Sequence, residues 1–138
     1  MSATTGGTAF DRTTGRRVWH LASWNVYRPL DGGSALVYNG TGVEEGFLGA
    51  LIDPRDGRVI EVLSPWQPTG ATYGRWVLLW RRMRAGGVLF AVRDAGTGTL
   101  VVVGRASDWY TAPSCQLTGT HVACVGRHRL AIWRWHRN

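Results

Sequence analysis

The chain has 138 residues, of which 44% are hydrophobic and 18% charged, a balance typical of one folded domain and too apolar for an intrinsically disordered protein. All sixteen cationic side chains are arginine, and the net charge is +7. Except for Arg81, Arg82 and Arg84, they are spread along the chain, and no nucleic-acid-binding motif accompanies them, which argues against nucleic acid as the partner. No run reaches the roughly 20 apolar residues that a membrane-spanning helix needs.

Short apolar runs, rich in β-branched and aromatic residues, follow one another along the chain and are separated by Gly, Pro, Asp and Thr. No sustained helical periodicity accompanies them. The pattern therefore predicts the strands of an antiparallel, all-β fold. The runs occupy residues 34–38, 47–52, 58–63, 76–80, 88–92, 99–103, 121–125 and 130–133.

A turn motif recurs between these runs, in which an aspartate is followed four residues later by a glycine and then by another apolar strand. It recurs after 42 and then 41 residues. An aspartate side chain can accept hydrogen bonds from the turn's own backbone, and glycine supplies the positive φ that closes a tight hairpin. The structural turn residues are Asp11 with Gly15, Asp53 with Gly57, and Asp94 with Gly98.

A period near 40 residues with about four strands per unit is typical of β-propeller blades. The single repeat domain of residues 1–138 then divides into blade portions at about 8–23, 24–63, 64–106 and 107–135. These amount to about three blades of four antiparallel strands. The N-terminal strand at residues 17–21 is of the type missing at the C-terminus, so the two ends could share a blade, within one chain or between two.

A β-trefoil is the alternative fold. It also has three repeats of about this length, and it closes without help, whereas three blades are fewer than the usual minimum of about four for a closed ring.

Four segments carry a resemblance to a known family. Residues 8–19 read Thr-Ala-Phe-Asp-Arg-Thr-Thr-Gly-Arg-Arg-Val-Trp, and residues 49–57, 90–98 and 118–126 match parts of the same pattern. The chain thus resembles the PQQ-like repeat family of β-propellers, many of which are non-catalytic interaction platforms outside the cytoplasm. Quinone-binding members add a calcium site and often adjacent cysteines. Neither is visible here, so we expect no cofactor and no enzymatic activity.

Cys115 and Cys124 lie on two neighbouring predicted strands joined by a short turn, which could bring their Cα atoms within bridging distance. We predict a disulfide, with two buried free thiols as the alternative. The spacing of the cysteines and histidines fits no zinc signature, so no metal site is predicted.

Eight tryptophans are many for a chain of this length. Those at strand ends or in loops could present an exposed ring to a partner, and tryptophan and arginine together are enriched in protein-interface hot spots. The candidate partner-binding residues are Trp66, Trp80, Arg81, Arg82, Arg84 and Trp109.

We therefore expect a non-catalytic, propeller-type binding or scaffolding domain with a protein partner, and a homodimer that completes a closed ring is a further hypothesis. Two alternatives stay open: a carbohydrate-binding module that uses exposed tryptophan, and a fragment of a larger propeller enzyme. The resemblance and the predicted disulfide favour an extracytoplasmic location. No signal peptide is visible in the first seven residues, so a cytoplasmic location stays open as well.

Overall fold

The computed structural model describes residues 7–21, 24, 26–39, 49–107, 114–126 and 128–136. Within these ranges the chain forms thirteen β-strands and no helix, which confirms the all-β prediction. No helix in the described ranges is long and apolar enough to cross a membrane. The strands are β1 (Gly7–Phe10), β2 (Arg17–Leu21), β3 (Val26–Pro29), β4 (Ala35–Tyr38), β5 (Gly49–Ile52), β6 (Val59–Val62), β7 (Gln67–Tyr73), β8 (Trp76–Arg82), β9 (Val88–Asp94), β10 (Leu100–Ala106), β11 (Ser114–Leu117), β12 (His121–Val125) and β13 (Leu130–Arg134).

The strands form four antiparallel meanders in chain order, which we call sheets A to D. Sheet A contains β1 and β2, sheet B contains β3 to β6, sheet C contains β7 to β10, and sheet D contains β11 to β13. Sheets B and C are each four-stranded, with neighbouring strands consecutive in sequence, as in propeller-type blades. No barrel closes within the described part of the chain, so the β-trefoil alternative gains no support from it.

Consecutive sheets pack face to face, and a hydrophobic core lies between each pair. Strand β8 shows why: Val77 and Leu79 join the core shared with sheet B, whereas Leu78 and Trp80 join the core shared with sheet D. Because successive side chains of a strand point to opposite faces, a strand covered on both sides must be apolar at every position. This explains the unbroken apolar runs of the sequence.

Close packing between sheets B and C and between sheets C and D depends on a glycine at each interface. A Cβ atom at Gly49 of β5 would overlap the ring of Pro68 on β7. A Cβ atom at Gly104 of β10 would lie 2.5 Å from Nε1 of Trp133 on β13. Any side chain here would push neighbouring sheets apart, since real Cβ atoms do not approach so closely.

The outer face of sheet D is exposed and carries a cluster of apolar side chains from β12 and β13. On β13, Leu130 and Ile132 are 65% and 61% exposed, whereas Ala131 and Trp133, which alternate with them, pack towards sheet C. Val125 of β12 is the register partner of Leu130 and is also exposed. Strand β13 is therefore apolar on both faces, but the described residues cover only the face that packs on sheet C.

Sheet A, at the other end of the stack, also has an apolar outer face. Phe10 is 62% exposed and Val18 is also exposed, whereas Trp19 packs against the core of sheet B. Strand β2 pairs with β1, and β13 pairs with β12. In the described part of a single chain, the N-terminal and C-terminal strands therefore do not share a blade.

Candidate functional site

The three Asp-x-x-x-Gly segments form the hairpins β1–β2, β5–β6 and β9–β10. In each, the glycine N–H donates to the aspartate carbonyl oxygen, and the carboxylate accepts a backbone N–H from two residues further on, at 2.8–2.9 Å. The glycines have φ angles of 74° to 81°, in the left-handed region that favours glycine. Asp11, Asp53 and Asp94, with Gly15, Gly57 and Gly98, therefore build the turns.

Among these three carboxyl groups, that of Asp53 has the most strongly lowered pKa. The side chain of Arg55 donates to it, with Nη2 2.8 Å from Oδ2, and the Arg55 backbone N–H donates to Oδ1. These hydrogen bonds stabilise the charged form and lower the pKa of Asp53 to about 2. A carboxyl group held in this way is a structural anion, not a proton donor near neutral pH.

Cys115 and Cys124 are register partners on β11 and β12, and their sulfur atoms lie 2.07 Å apart, within bonding distance. Their Cα atoms are 4.1 Å apart. Cys124 is fully buried in the core between sheets C and D. The disulfide is therefore part of that core and is not placed as a reactive site.

Trp80 corrects one prediction about the interaction surface. It is 1% exposed and lies in the core between sheets C and D. On β8 it lies directly opposite Phe90 of β9. Strand β8 continues past Trp80 for two more residues. The expectation of an exposed Trp80 ring is therefore wrong, because the sequence run that ends there is shorter than the strand.

Trp66 is partly exposed at the surface. It is half-buried in the turn before β7, and the Arg81 guanidinium lies over its ring, 5.5 Å from the centroid. This is a cation–π contact. Arg82 and Arg84, at the end of β8 and in the following turn, have exposed side chains. The structure thus brings Trp66 and Arg81 together, while Trp109 lies outside the described residues.

A cleft of about 860 Å³ opens where the turns at one end of sheet C meet the β3–β4 turn of sheet B. It was not predicted, because its walls come from turns far apart in sequence. Two backbone hydrogen bonds join these turns. The Asp31 N–H donates to the Gly74 carbonyl oxygen at 3.1 Å, and the Ala95 N–H donates to the Arg75 carbonyl oxygen at 2.9 Å. The side chains that line it include Asp31, Tyr73, Arg75, Trp76, Thr97 and Thr99.

An ion pair forms one wall of this cleft. Nε of Arg75 lies 2.8 Å from Oδ1 of Asp94. Burial opposes ionisation of Asp94, but backbone hydrogen bonds from Gly96 and Thr97, together with Arg75, outweigh it and lower the pKa. Asp94 is therefore anionic at neutral pH and fixes the Arg75 side chain along the wall.

The opposite side of the cleft is more accessible. Asp31 is exposed, and its carboxylate makes no hydrogen bond or ion pair with another described residue. Tyr73 is 42% exposed, and its ring packs on Gly119 in the β11–β12 turn, where a Cβ atom would lie 3.0 Å from the hydroxyl oxygen. A carboxylate and a supported aromatic ring thus face solvent in the same cleft.

The cleft has the features of a binding site. In the described ranges, no group of three or more His, Cys, Asp or Glu side chains is placed to hold a metal ion. Two features of the sequence mark the walls of the cleft: the Asp-x-x-x-Gly turn at Asp94, and the polar turn at residues 73–75 that directly precedes the apolar run 76–80.

Comparison with known proteins gives no assignment, since no protein-family model matches the chain and no curated protein is significantly similar to it.

Proposed function

We propose that the chain is a non-catalytic, propeller-type scaffold of the PQQ-like kind that mediates protein interactions through the outer faces of its two end sheets. The observation that carries this proposal is the exposure of Leu130 and Ile132 on sheet D and of Phe10 on sheet A. Contiguous exposed apolar side chains on a folded protein mark interaction sites.

The stacking of the sheets supports a second copy as the occupant. Sheets B and C are each covered on both faces, whereas the described residues cover sheets A and D on one face each. In the part of the chain that the structure describes, sheets A and D also have two and three strands instead of four. A head-to-tail contact between sheet D of one chain and sheet A of another would cover both apolar faces, and two such contacts would close a ring of two chains.

The arginine-rich surface near Trp66 supports the proposed interaction function independently. Arg81 is held over the ring, and Arg84 is exposed in the next turn. Arginine and tryptophan are over-represented among residues that dominate binding energy at protein interfaces. We assign this surface to a protein partner and the disulfide-containing domain to an oxidising, extracytoplasmic compartment.

Light scattering of the purified chain in the absence of reductant tests the proposal. We expect a discrete dimer that Ile132→Asp converts to a monomer, because a charge on the outer face of β13 would have to be desolvated. Val102→Asp is the matched control, since Val102 is 56% exposed but lies on β10 of sheet C, on the face turned away from sheet D. A monomer at all concentrations, or equal effects of the two substitutions, would exclude the second copy.

A further inference from the structure

We propose that the cleft between sheets B and C, lined by Asp31, Tyr73 and Arg75, binds a neutral saccharide. This site is separate from the outer faces of the end sheets and does not depend on assembly of the chain. It also differs from a carbohydrate site built on exposed tryptophan, since Trp76 at its wall is 6% exposed and Tyr73 offers the accessible ring.

The described lining of the cleft combines two carboxyl groups, those of Asp31 and Asp94, with the guanidinium group of Arg75. The Asp31 carboxylate has no cationic partner among the described residues, so it repels an anion. The Nε of Arg75 donates to Asp94, and half of the Arg75 side chain is exposed, so its terminal N–H groups are available as donors to a ligand in the cleft. A ligand that carries donors and acceptors without net charge satisfies both walls.

Hydroxyl groups add to this mixed character. The Thr97 hydroxyl donates to that of Thr99 at 2.9 Å, and both side chains line the cleft. A saccharide hydroxyl can donate and accept at once, so a row of such groups can pair with a carboxylate, a guanidinium and two hydroxyls. Hydrogen bonds to the charged partners are the stronger ones, which makes Asp31 and Arg75 the main polar contacts.

The Tyr73 ring supplies the apolar element. Its packing on Gly119 supports the ring from the side of the β11–β12 turn. A sugar ring has C–H groups on its faces that can cover an aromatic surface, and an aromatic side chain combines such a surface with a polar tip. The cleft volume of about 860 Å³ lies within the range of ligand sites and accommodates more than one sugar unit.

The experiment is calorimetric titration of the full chain with five neutral trisaccharides, namely maltotriose, cellotriose, mannotriose, xylotriose and tri-N-acetylchitotriose. Each is raised to about 10 mM, which detects dissociation constants in the millimolar range. We expect at least one to bind. Absence of binding by all five would overturn the proposal, whatever the oligomeric state of the chain.

Variants then locate the site. Tyr73→Ala should weaken binding about tenfold, as expected for loss of roughly 1.4 kcal/mol of ring contact. Tyr27→Ala is the matched control, because Tyr27 is 47% exposed but lies on β3 beside Trp19, towards sheet A. Asp31→Asn changes an exposed carboxylate without changing its shape, so it tests the cleft even if Tyr73→Ala is unstable. Unchanged binding in both cleft variants would refute the assignment.

Discussion

Replacing Gly104 with alanine tests the contact that sets the distance between sheets C and D. The added Cβ atom would lie 2.5 Å from Nε1 and 2.7 Å from Cδ1 of Trp133. Gly104 does not have a positive φ angle, so alanine meets no backbone penalty there. The Trp133 ring cannot easily move, because it packs against Phe90 with the ring centroids 5.0 Å apart.

The expected magnitude follows from two opposing effects. Overpacking a close-packed interface costs about 1–3 kcal/mol. Replacement of glycine by alanine at a compatible backbone position restores about 0.4–1 kcal/mol by restricting the unfolded chain. The free energy of unfolding should therefore fall by about 1–2 kcal/mol. In a Trp133→Ala background the steric contact is gone, and Gly104→Ala should instead stabilise by about 0.5 kcal/mol.

The assay is urea denaturation of the four proteins of this double-mutant cycle, each at a concentration where the chain is monomeric. The change of sign between the two backgrounds is the diagnostic result, since a general effect on strand β10 would be the same in both. An equal loss of stability with and without the Trp133 ring would refute the reasoning.

Three further predictions concern the turns, the disulfide and the core. Because Asp53 has a lowered pKa, its stabilisation is present above about pH 4 and is lost as the pH falls towards 2, so Asp53→Asn should give a shallower loss of stability over that range in acid denaturation. Reduction of Cys115–Cys124, which closes a short loop, should lower the free energy of unfolding by about 2–3 kcal/mol, and a thiol titration of the unreduced, denatured chain should find no free cysteine. Leu78→Ala, in a fully buried position, should cost about 2–5 kcal/mol in chemical denaturation, whereas Leu100→Ala, at a position 39% exposed, should cost well under half of that.

The strand class and the turn chemistry could be predicted from the sequence because both depend on short-range interactions. An aspartate that accepts hydrogen bonds from residues two or three further on, as Asp11 does from Thr13 and Thr14, needs no other part of the fold. Likewise, the apolar run of β8 is short and lies between the turn glycines Gly74 and Gly86, which favours a strand over a helix.

The first strands of sheets B and C were harder to recognise. Strand β7 contains Pro68 and Gly70, which normally interrupt a strand, and β3 ends at Pro29. Both strands lie at the edge of their sheets, where one side has no backbone partner in the sheet and proline is tolerated. Whether a strand tolerates proline depends on its position within the sheet, and that position cannot be read from the sequence.

By itself, the sequence determined that the chain would form short antiparallel strands, where its Asp-Gly hairpins would lie and that they would recur about every 40 residues, since these depend on residues close together in the chain. Tertiary structure decided which apolar side chains are covered. Trp80 and Ile132 both belong to apolar runs, yet sheet D covers Trp80 and nothing in the described chain covers Ile132. It also decided that Asp31 and Tyr73 would line one cleft, because only the packing of sheet B on sheet C brings their turns together.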